Sequence, residues 1–150
     1  MAHSYTQLLY HVVFSTKERR PWLTLPVIDR LHPYLGGAIR EQGGIALAVG
    51  GIADHVHLLA RLRQDKAISA VIGSIKATSS GWLHREFTEL VAFEWQEGYA
   101  AFTVSKSQEE VVKRYVLRQE EHHRKRSYKE ELVALLEAHG IEYDPQYLWT

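Results

Sequence analysis

Nine residues, Asp54 to Leu62 (DHVHLLARL), limit what this chain can become more than any other segment. Side chains alternate across a strand, so Val56, Leu58 and Ala60 share one face while His55 and His57 share the other, their α-carbons about 6.6 Å apart. The apolar face must be buried under other elements, and the histidine face is left for chemistry. The chain therefore needs a sheet, and it must supply helices to cover it.

The rest of the sequence offers both. Gln7–Ser15 (QLLYHVVFS) is rich in β-branched and aromatic residues and too short for a typical helix, which predicts a central strand. Thr16–Trp22 (TKERRPW) breaks that pattern with charges and Pro21 and reads as a loop. A helix is expected from Pro26 to the Gly43-Gly44 stop, with Pro33 and Gly36-Gly37 weakening its middle. Ile45–Val49 and Asp54–Leu62 read as two strands joined by a turn containing Gly50-Gly51. Lys66–Phe87 carries Ile68, Val71, Ile72, Ile75 and Trp82 at helical spacing. Tyr99–Ser105 (YAAFTVS) reads as a fourth strand. A helix from Ser107 to about Arg124 and another over Tyr128–Ala138, stopped at Gly140, complete the chain.

The order is βαββαβ followed by two helices. It predicts an α+β fold, a ferredoxin-like sandwich in which a four-stranded antiparallel sheet carries helices on one face, with extra C-terminal helices that need another docking place. Residues 1–150 are read as a single domain, since 150 residues with 45% hydrophobic and 24% charged content suit one globular unit.

Charge and cysteine usage narrow the chemistry. Eighteen Lys and Arg balance eighteen Asp and Glu, which excludes a diffuse polybasic binder, yet the charge is segregated. Residues 113–129 hold seven Lys or Arg against two Glu, and residues 130–150 hold five acidic residues and no Lys or Arg. The absence of cysteine excludes disulfides, thiolate zinc modules and a thiol nucleophile, so any metal site must use His, carboxylate or amide oxygen. No window approaches the roughly 18 apolar residues of a membrane span. A soluble cytoplasmic protein is expected.

His55 and His57 can converge on one cation, but such a pair also describes two polar residues facing solvent, and two donors do not complete a divalent-ion site. In the helix from Ser107, Tyr115 and Gln119 stand four apart on one stripe, with Arg118 and His122 beside them. Gln119 can offer a neutral carbonyl oxygen to a hard cation, and Tyr115 a phenol that becomes a good nucleophile once its pKa is lowered. Taken singly, the two also fit an aromatic core residue and ordinary helix surface. His122 and His123 fit a proton shuttle, a phosphate contact or a helix cap, and the structural reading is favoured.

Together, DHVHLL at 54–59 and YVLRQEEHH at 115–123 resemble the HUH single-tyrosine transposases of small bacterial insertion sequences. The resemblance extends to YHVVFSTKERRP at 10–21, WQEGYAAFTVS at 95–105 and HGIEYDPQYLW at 139–149, so it covers essentially the whole chain. It implies that His55, His57 and Gln119 bind a divalent cation, Mg²⁺ or Mn²⁺, and that Tyr115 is the nucleophile. It further implies cleavage and rejoining of single-stranded DNA at hairpin-bearing element ends through a 5′-phosphotyrosine. A homodimer is also implied, in which the tyrosine helix of one subunit can complete the site of the other.

Lys17, Arg19, Arg20, Lys76, Arg85, Arg114 and Arg118 are candidates for tracking phosphates, and Trp22, Trp82, Trp95 and Tyr99 for stacking on bases, although most of these aromatics also fit a core. Three other readings compete. A domesticated relative that processes repetitive palindromic elements would share the same residues. An RNA-recognition-like binding module would leave the histidines without purpose, and a metal-dependent hydrolase would form no covalent adduct.

Overall fold

The computed structural model describes residues 3–148; Met1, Ala2, Thr150 and Trp149, which ends the tail motif, lie outside the described residues. The six central elements are β1 (Leu9–Ser15), α1 (Leu25–Glu41), β2 (Ile45–Ile52), β3 (His55–Arg61), α2 (Ile68–Glu86) and β4 (Ala100–Val104). The strands form one antiparallel sheet in the order β2-β3-β1-β4, the expected ferredoxin-like plan. Three helices follow: α3 (Glu109–Leu117), α4 (Gln119–His122) and α5 (Tyr128–Ala138).

Alternation along the strands divides the molecule into three layers. Val12, Phe14, Val56, Leu58 and Ala60 face α1 and α2, where Leu31, Leu35, Ile39, Val71, Ile72, Ile75 and Leu83 complete the main core. In β1 and β3, Val13 pairs with His57 and Ser15 with His55, so the histidines lie on the opposite face. There the C-terminal helices find their docking place. Val13 and Phe102 pack against Tyr128, Leu132 and Leu136 of α5, and Ala48 and Leu59 pack against Val116 of α3. The histidine face is thus covered by helices of the same chain.

Two expectations are corrected. The hairpin does not turn at Gly50-Gly51; both glycines lie inside β2, with Gly50 opposite His57 and Gly51 opposite Val56, and the chain turns at Ala53-Asp54. The reason is a close approach, because a Cβ on Gly50 would stand 1.9 Å from the Val116 carbonyl oxygen of α3. Gly51, at φ +147°, would put a Cβ 2.3 Å from the His55 carbonyl oxygen. Gly50 therefore marks contact with α3, and Gly51 a positive φ pressed against β3, not reversal. The single helix expected from Ser107 to Arg124 is also divided, at Arg118 (φ −105°, ψ 27°). The Arg118 amide bonds both the Arg114 and Tyr115 carbonyls, a tightened turn that ends α3 and starts α4 at the buried Gln119.

Helix α5 begins with a capping box: Glu130 N donates to Ser127 Oγ and Ser127 N donates to Glu130 Oε1, both at 3.2 Å. This fixes the first turn, which carries Glu131 inward on the same stripe as Tyr128, Leu132, Leu135 and Leu136.

Gly50→Ala is expected to destabilise the protein by about 2–3 kcal/mol, in the range of overpacking penalties, because backbone and not a flexible side chain opposes the new methyl. Urea unfolding of the two proteins checks this, and an unchanged midpoint would contradict the close packing of α3 on β2.

Candidate active site

β3, α4, α5 and the turn between those helices bring five donor atoms to one point. Glu131 Oε1 lies 3.0 Å from His57 Nε2, 3.0 Å from His123 Nε2 and 3.3 Å from His55 Nε2. Gln119 Oε1 lies 3.2 Å from His55 Nε2 and 3.0 Å from His123 Nε2. Glu131 is 1% exposed, and His55 and His57 are fully buried. Among the described residues, His55, His57, His123 and Glu131 form a group able to hold a metal ion, their donor atoms all within 4.8 Å of one another.

The outer contacts of these side chains decide which atoms carry protons. His55 Nδ1 donates to Asp54 Oδ1 at 2.7 Å and His123 Nδ1 donates to the Arg126 carbonyl at 2.6 Å. Both partners are pure acceptors, so both Nδ1 atoms are protonated and each neutral ring turns a lone pair on Nε2 inward. Gln119 Nε2 donates to the Tyr115 carbonyl at 3.0 Å, which points the amide oxygen inward as well. His57 Nδ1 is joined to His11 Nε2 at 2.7 Å, a partner that fixes its ring on the β1 side. With the imidazoles neutral, the lone pairs of His55 and His123 face the Glu131 and Gln119 oxygens, while His57 can donate Nε2–H to Glu131 Oε1 if His11 donates to its Nδ1. Only a positive charge relieves that arrangement, supplied either by protons on the imidazoles or by a cation.

Electrostatics agree. Burial opposes charge on His55, but the Asp54 and Glu131 carboxylates outweigh it and push the group up to about 9. Burial dominates at His57 and His11, which are held down at about 4 and about 3, with each ring also disfavouring charge on a neighbouring imidazole. Glu131 is penalised by burial, yet hydrogen bonds from His123, His55 and His57 hold it far below the usual carboxylate range. The centre is a fixed anion surrounded by imidazoles that cannot all be charged.

Tyr115 reaches the same carboxylate from α3. Its hydroxyl donates to Glu131 Oε2, and His122 Nε2 lies 3.3 Å from that oxygen. Burial and the Glu131 charge raise the phenol above its usual range, so the tyrosine is held protonated. Tyr115 also lines a cleft of about 770 Å³ with Arg114, Arg118, His122, Lys125 and Arg126.

The structure brings His55, His57, Tyr115 and Gln119 together, and sets Arg114 and Arg118 beside the tyrosine. It scatters the other expected phosphate contacts. Lys76 and Arg85 lie on α2, in the opposite layer, and Lys76 Nζ is committed to the carbonyls of Gln96, Glu97 and Gly98 at 2.5, 3.2 and 2.9 Å. Lys17 pairs with Glu94 and Arg20 with Glu18, and Arg19 shares their short turn after β1. Trp95 is buried and donates to Ser79 Oγ, Trp22 packs edge-on against Phe93 and Trp82 stacks on Tyr34; Tyr99 is the one exposed member of the four.

Sequence reasoning missed Glu131, Asp54, His11 and the inward role of His123. For Glu131 a signal existed: a carboxylate standing between Tyr128 and Leu132 on the apolar stripe of an amphipathic helix, where an unpartnered charge is too costly to bury. Asp54, immediately before the histidine pair, was also visible as a partner for His55 Nδ1.

Comparison with known proteins puts this fold among transposases. Residues 4–119 match the family described as "Transposase IS200 like", and the chain belongs to that family of DNA-processing enzymes. ISDra2 transposase TnpA of Deinococcus radiodurans is 25% identical over 115 residues, spanning 73% of this chain and 82% of the relative. The transposase for insertion sequence element IS200 of Salmonella typhimurium is 27% identical over 124 residues, 71% of this chain and 74% of the relative. Among solved structures, a protein of Deinococcus radiodurans R1 described as a candidate transposase superposes with a TM-score of 0.63 at 24% identity, over 77% of this chain and 94% of its own. A REP-associated tyrosine transposase bound to a REP hairpin superposes at 0.57 and 14% identity, over 77% and 68% of the two chains. These two share the fold. No helix among the described residues is long and apolar enough to cross a membrane.

In the presence of a chelator, stability should peak near pH 6.5. His57 and His11, held below their ordinary value of 6.5, take up protons on unfolding, so stability falls as pH drops from 6.5 toward 4. His55, held at about 9, contributes stability that is complete below 6.5 and is lost as pH rises toward 9. Each such group contributes a slope of about 1.4 kcal/mol per pH unit within its window. Thermal unfolding in EDTA from pH 4 to 9 measures this, and a profile that is flat on both sides would contradict it.

Proposed function

We propose that this transposase cleaves and rejoins single-stranded DNA at the ends of an insertion sequence, with Tyr115 as the nucleophile and a divalent cation, Mg²⁺ or Mn²⁺, bound through His55, His57 and Gln119. The observation that carries the reading is the shared carboxylate: Tyr115 donates to one oxygen of Glu131, and the two imidazoles of the strand meet the other.

The Tyr115 oxygen attacks the scissile phosphorus in line. A bond forms between phosphorus and the phenol oxygen, the bond to the 3′-oxygen breaks, and a 5′-phosphotyrosine and a free 3′-hydroxyl result. The phenol proton leaves its contact with Glu131 Oε2 for His122, the base beside that oxygen, because Glu131 itself is too weakly basic to keep it. His122 is kept mainly neutral by burial and so is free to accept it. A bound cation supplies polarisation of a non-bridging phosphate oxygen and neutralises the Glu131 charge that keeps the phenol protonated. Because the phosphodiester energy is kept in the phosphotyrosine, a second 3′-hydroxyl can attack it and rejoin the strand with no external energy source.

Arg114 and Arg118 flank Tyr115 in the cleft and suit the phosphates on either side of the scissile bond. Hairpin-bearing DNA is the substrate in this reading, and the protein works as a homodimer. Tyr115 and Gln119 meet His55 and Glu131 within one chain, and a dimer would serve to hold two element ends together.

Incubating wild type and Tyr115→Phe with labelled single-stranded DNA from the element ends, with and without Mg²⁺ or Mn²⁺, tests the chemistry. A protease-sensitive, slow-migrating product is expected for wild type with metal and should fall at least about a thousand-fold in Tyr115→Phe, with DNA binding within a few-fold of wild type. Cleavage that persists in the variant without adduct would sink the covalent reading in favour of metal-activated water. Arg114→Ala and Arg118→Ala should each weaken binding across sequences and lower the slope of log affinity against log salt by about one; a salt titration that leaves the slope unchanged removes them from the DNA path.

A further inference from the structure

We infer that His123 and Glu131 are ligands of the same cation as His55 and His57, forming a nitrogen-rich centre built within one chain and suited to a first-row transition-metal ion over Mg²⁺. The inference rests on the active-site reading above. It adds two ligands that lie beyond residues 4–119, the portion matched to the family.

Three observations carry it. The first is spacing. Atoms bound about 2.1 Å from one ion stand about 3.0 Å apart as octahedral neighbours and about 3.4 Å apart in a tetrahedron. The separations of Glu131 Oε1 from His57, His123 and His55 are 3.0, 3.0 and 3.3 Å, and those of Gln119 Oε1 from His55 and His123 are 3.2 and 3.0 Å. All five fall between those two values, and the donor atoms of His55, His57, His123 and Glu131 all lie within 4.8 Å of one another, so drawing in the more widely spaced imidazoles completes the centre.

The second is the outer support. His123 is oriented as a ligand histidine should be, with Nδ1–H given to the Arg126 carbonyl as His55 gives its own to Asp54. A histidine that merely capped a helix would have no need for a second anchor and would not turn its free nitrogen into a buried cluster. The third is cost. Glu131 is 1% exposed, on a helix face otherwise made of Tyr128, Leu132 and Leu136. An ionised carboxylate there requires compensation by positive charge, and three imidazoles and an amide oxygen converge on it. A dication among them compensates it fully.

The donor set also selects the ion. Three imidazole nitrogens, one carboxylate and one amide oxygen favour Mn²⁺ through Zn²⁺ on the Irving–Williams series, whereas Mg²⁺ favours oxygen ligands and keeps its water. Glu131 thereby links the ion to the tyrosine, one oxygen to each.

The test uses the full-length protein without DNA, so that its failure is separate from failure of the transposition chemistry. Co²⁺ is titrated into wild type, Glu131→Gln and His123→Ala, and its visible absorption is followed together with calorimetric affinity. One Co²⁺ per chain is expected for wild type. Each variant should bind at least about tenfold more weakly with a shifted absorption band, and millimolar Mg²⁺ should not displace the ion from wild type. Far-UV circular dichroism in EDTA establishes that the variants are folded. Should a variant fail to fold, pulsed electron paramagnetic resonance of Cu²⁺-loaded wild type counts the coordinated imidazoles: three are expected. Two imidazoles, or variants that bind Co²⁺ with wild-type affinity and spectrum, overturn the inference, as does displacement by Mg²⁺.

Discussion

The structure depends on one buried carboxylate. Glu131 reaches the sheet from the first turn of α5 and meets His55, His57 and His123 with one oxygen and Tyr115 with the other. Remove that charge and the imidazoles and the phenol lose the group on which they converge, leaving only the apolar contacts of Val13, Phe102, Ala48 and Leu59 to hold the helices. Leave it without positive charge and it is too costly to bury. The C-terminal helices are therefore held by the site as much as by Tyr128, Leu132 and Leu136. Positioning and stability are the same interaction viewed from two sides.

This coupling explains the division of labour between the two faces. The α1 and α2 layer is apolar and carries the main core from Val12 to Leu83, which is where the stability of a domain of this size must come from. The opposite layer has smaller clusters, around Val13 and around Ala48, separated by polar groups. A sheet secured from one side can support a strained electrostatic centre on the other. His57 shows the arrangement within a single strand, fully buried between Val56 and Leu58, which point into the main core.

Most of the fold was legible because it rests on periodicity. The alternation in DHVHLLARL and the four strand-like runs sufficed for the βαββαβ order, and the histidine pair, Tyr115 and Gln119 were legible from spacing and family resemblance. What was not legible depends on approach between distant segments. Gly50-Gly51 looks like a turn in sequence, and only the Val116 carbonyl pressed against Gly50 shows why glycine is needed inside a strand. Lys76 looks like a phosphate ligand until three carbonyls from residues 96–98 are found around it. His123 next to His122 gave no sign of which ring turns inward, because the turn at Arg118 that sets their direction carries no distinctive residue.

The shared carboxylate also sets the order in which the site can act. A tyrosine that donates to an ionised, buried glutamate is held protonated, and a protonated phenol is a poor nucleophile. Burial restrains the phenol most, and the contact that places Tyr115 at the centre adds the Glu131 charge to it. Arg114 and Arg118 flank the phenol without contacting Glu131. Arg126, in the same cleft, favours the ionised phenol, but burial and the Glu131 charge outweigh it. The protonation of Tyr115 is thus tied to the charge of the histidine centre with which it shares Glu131.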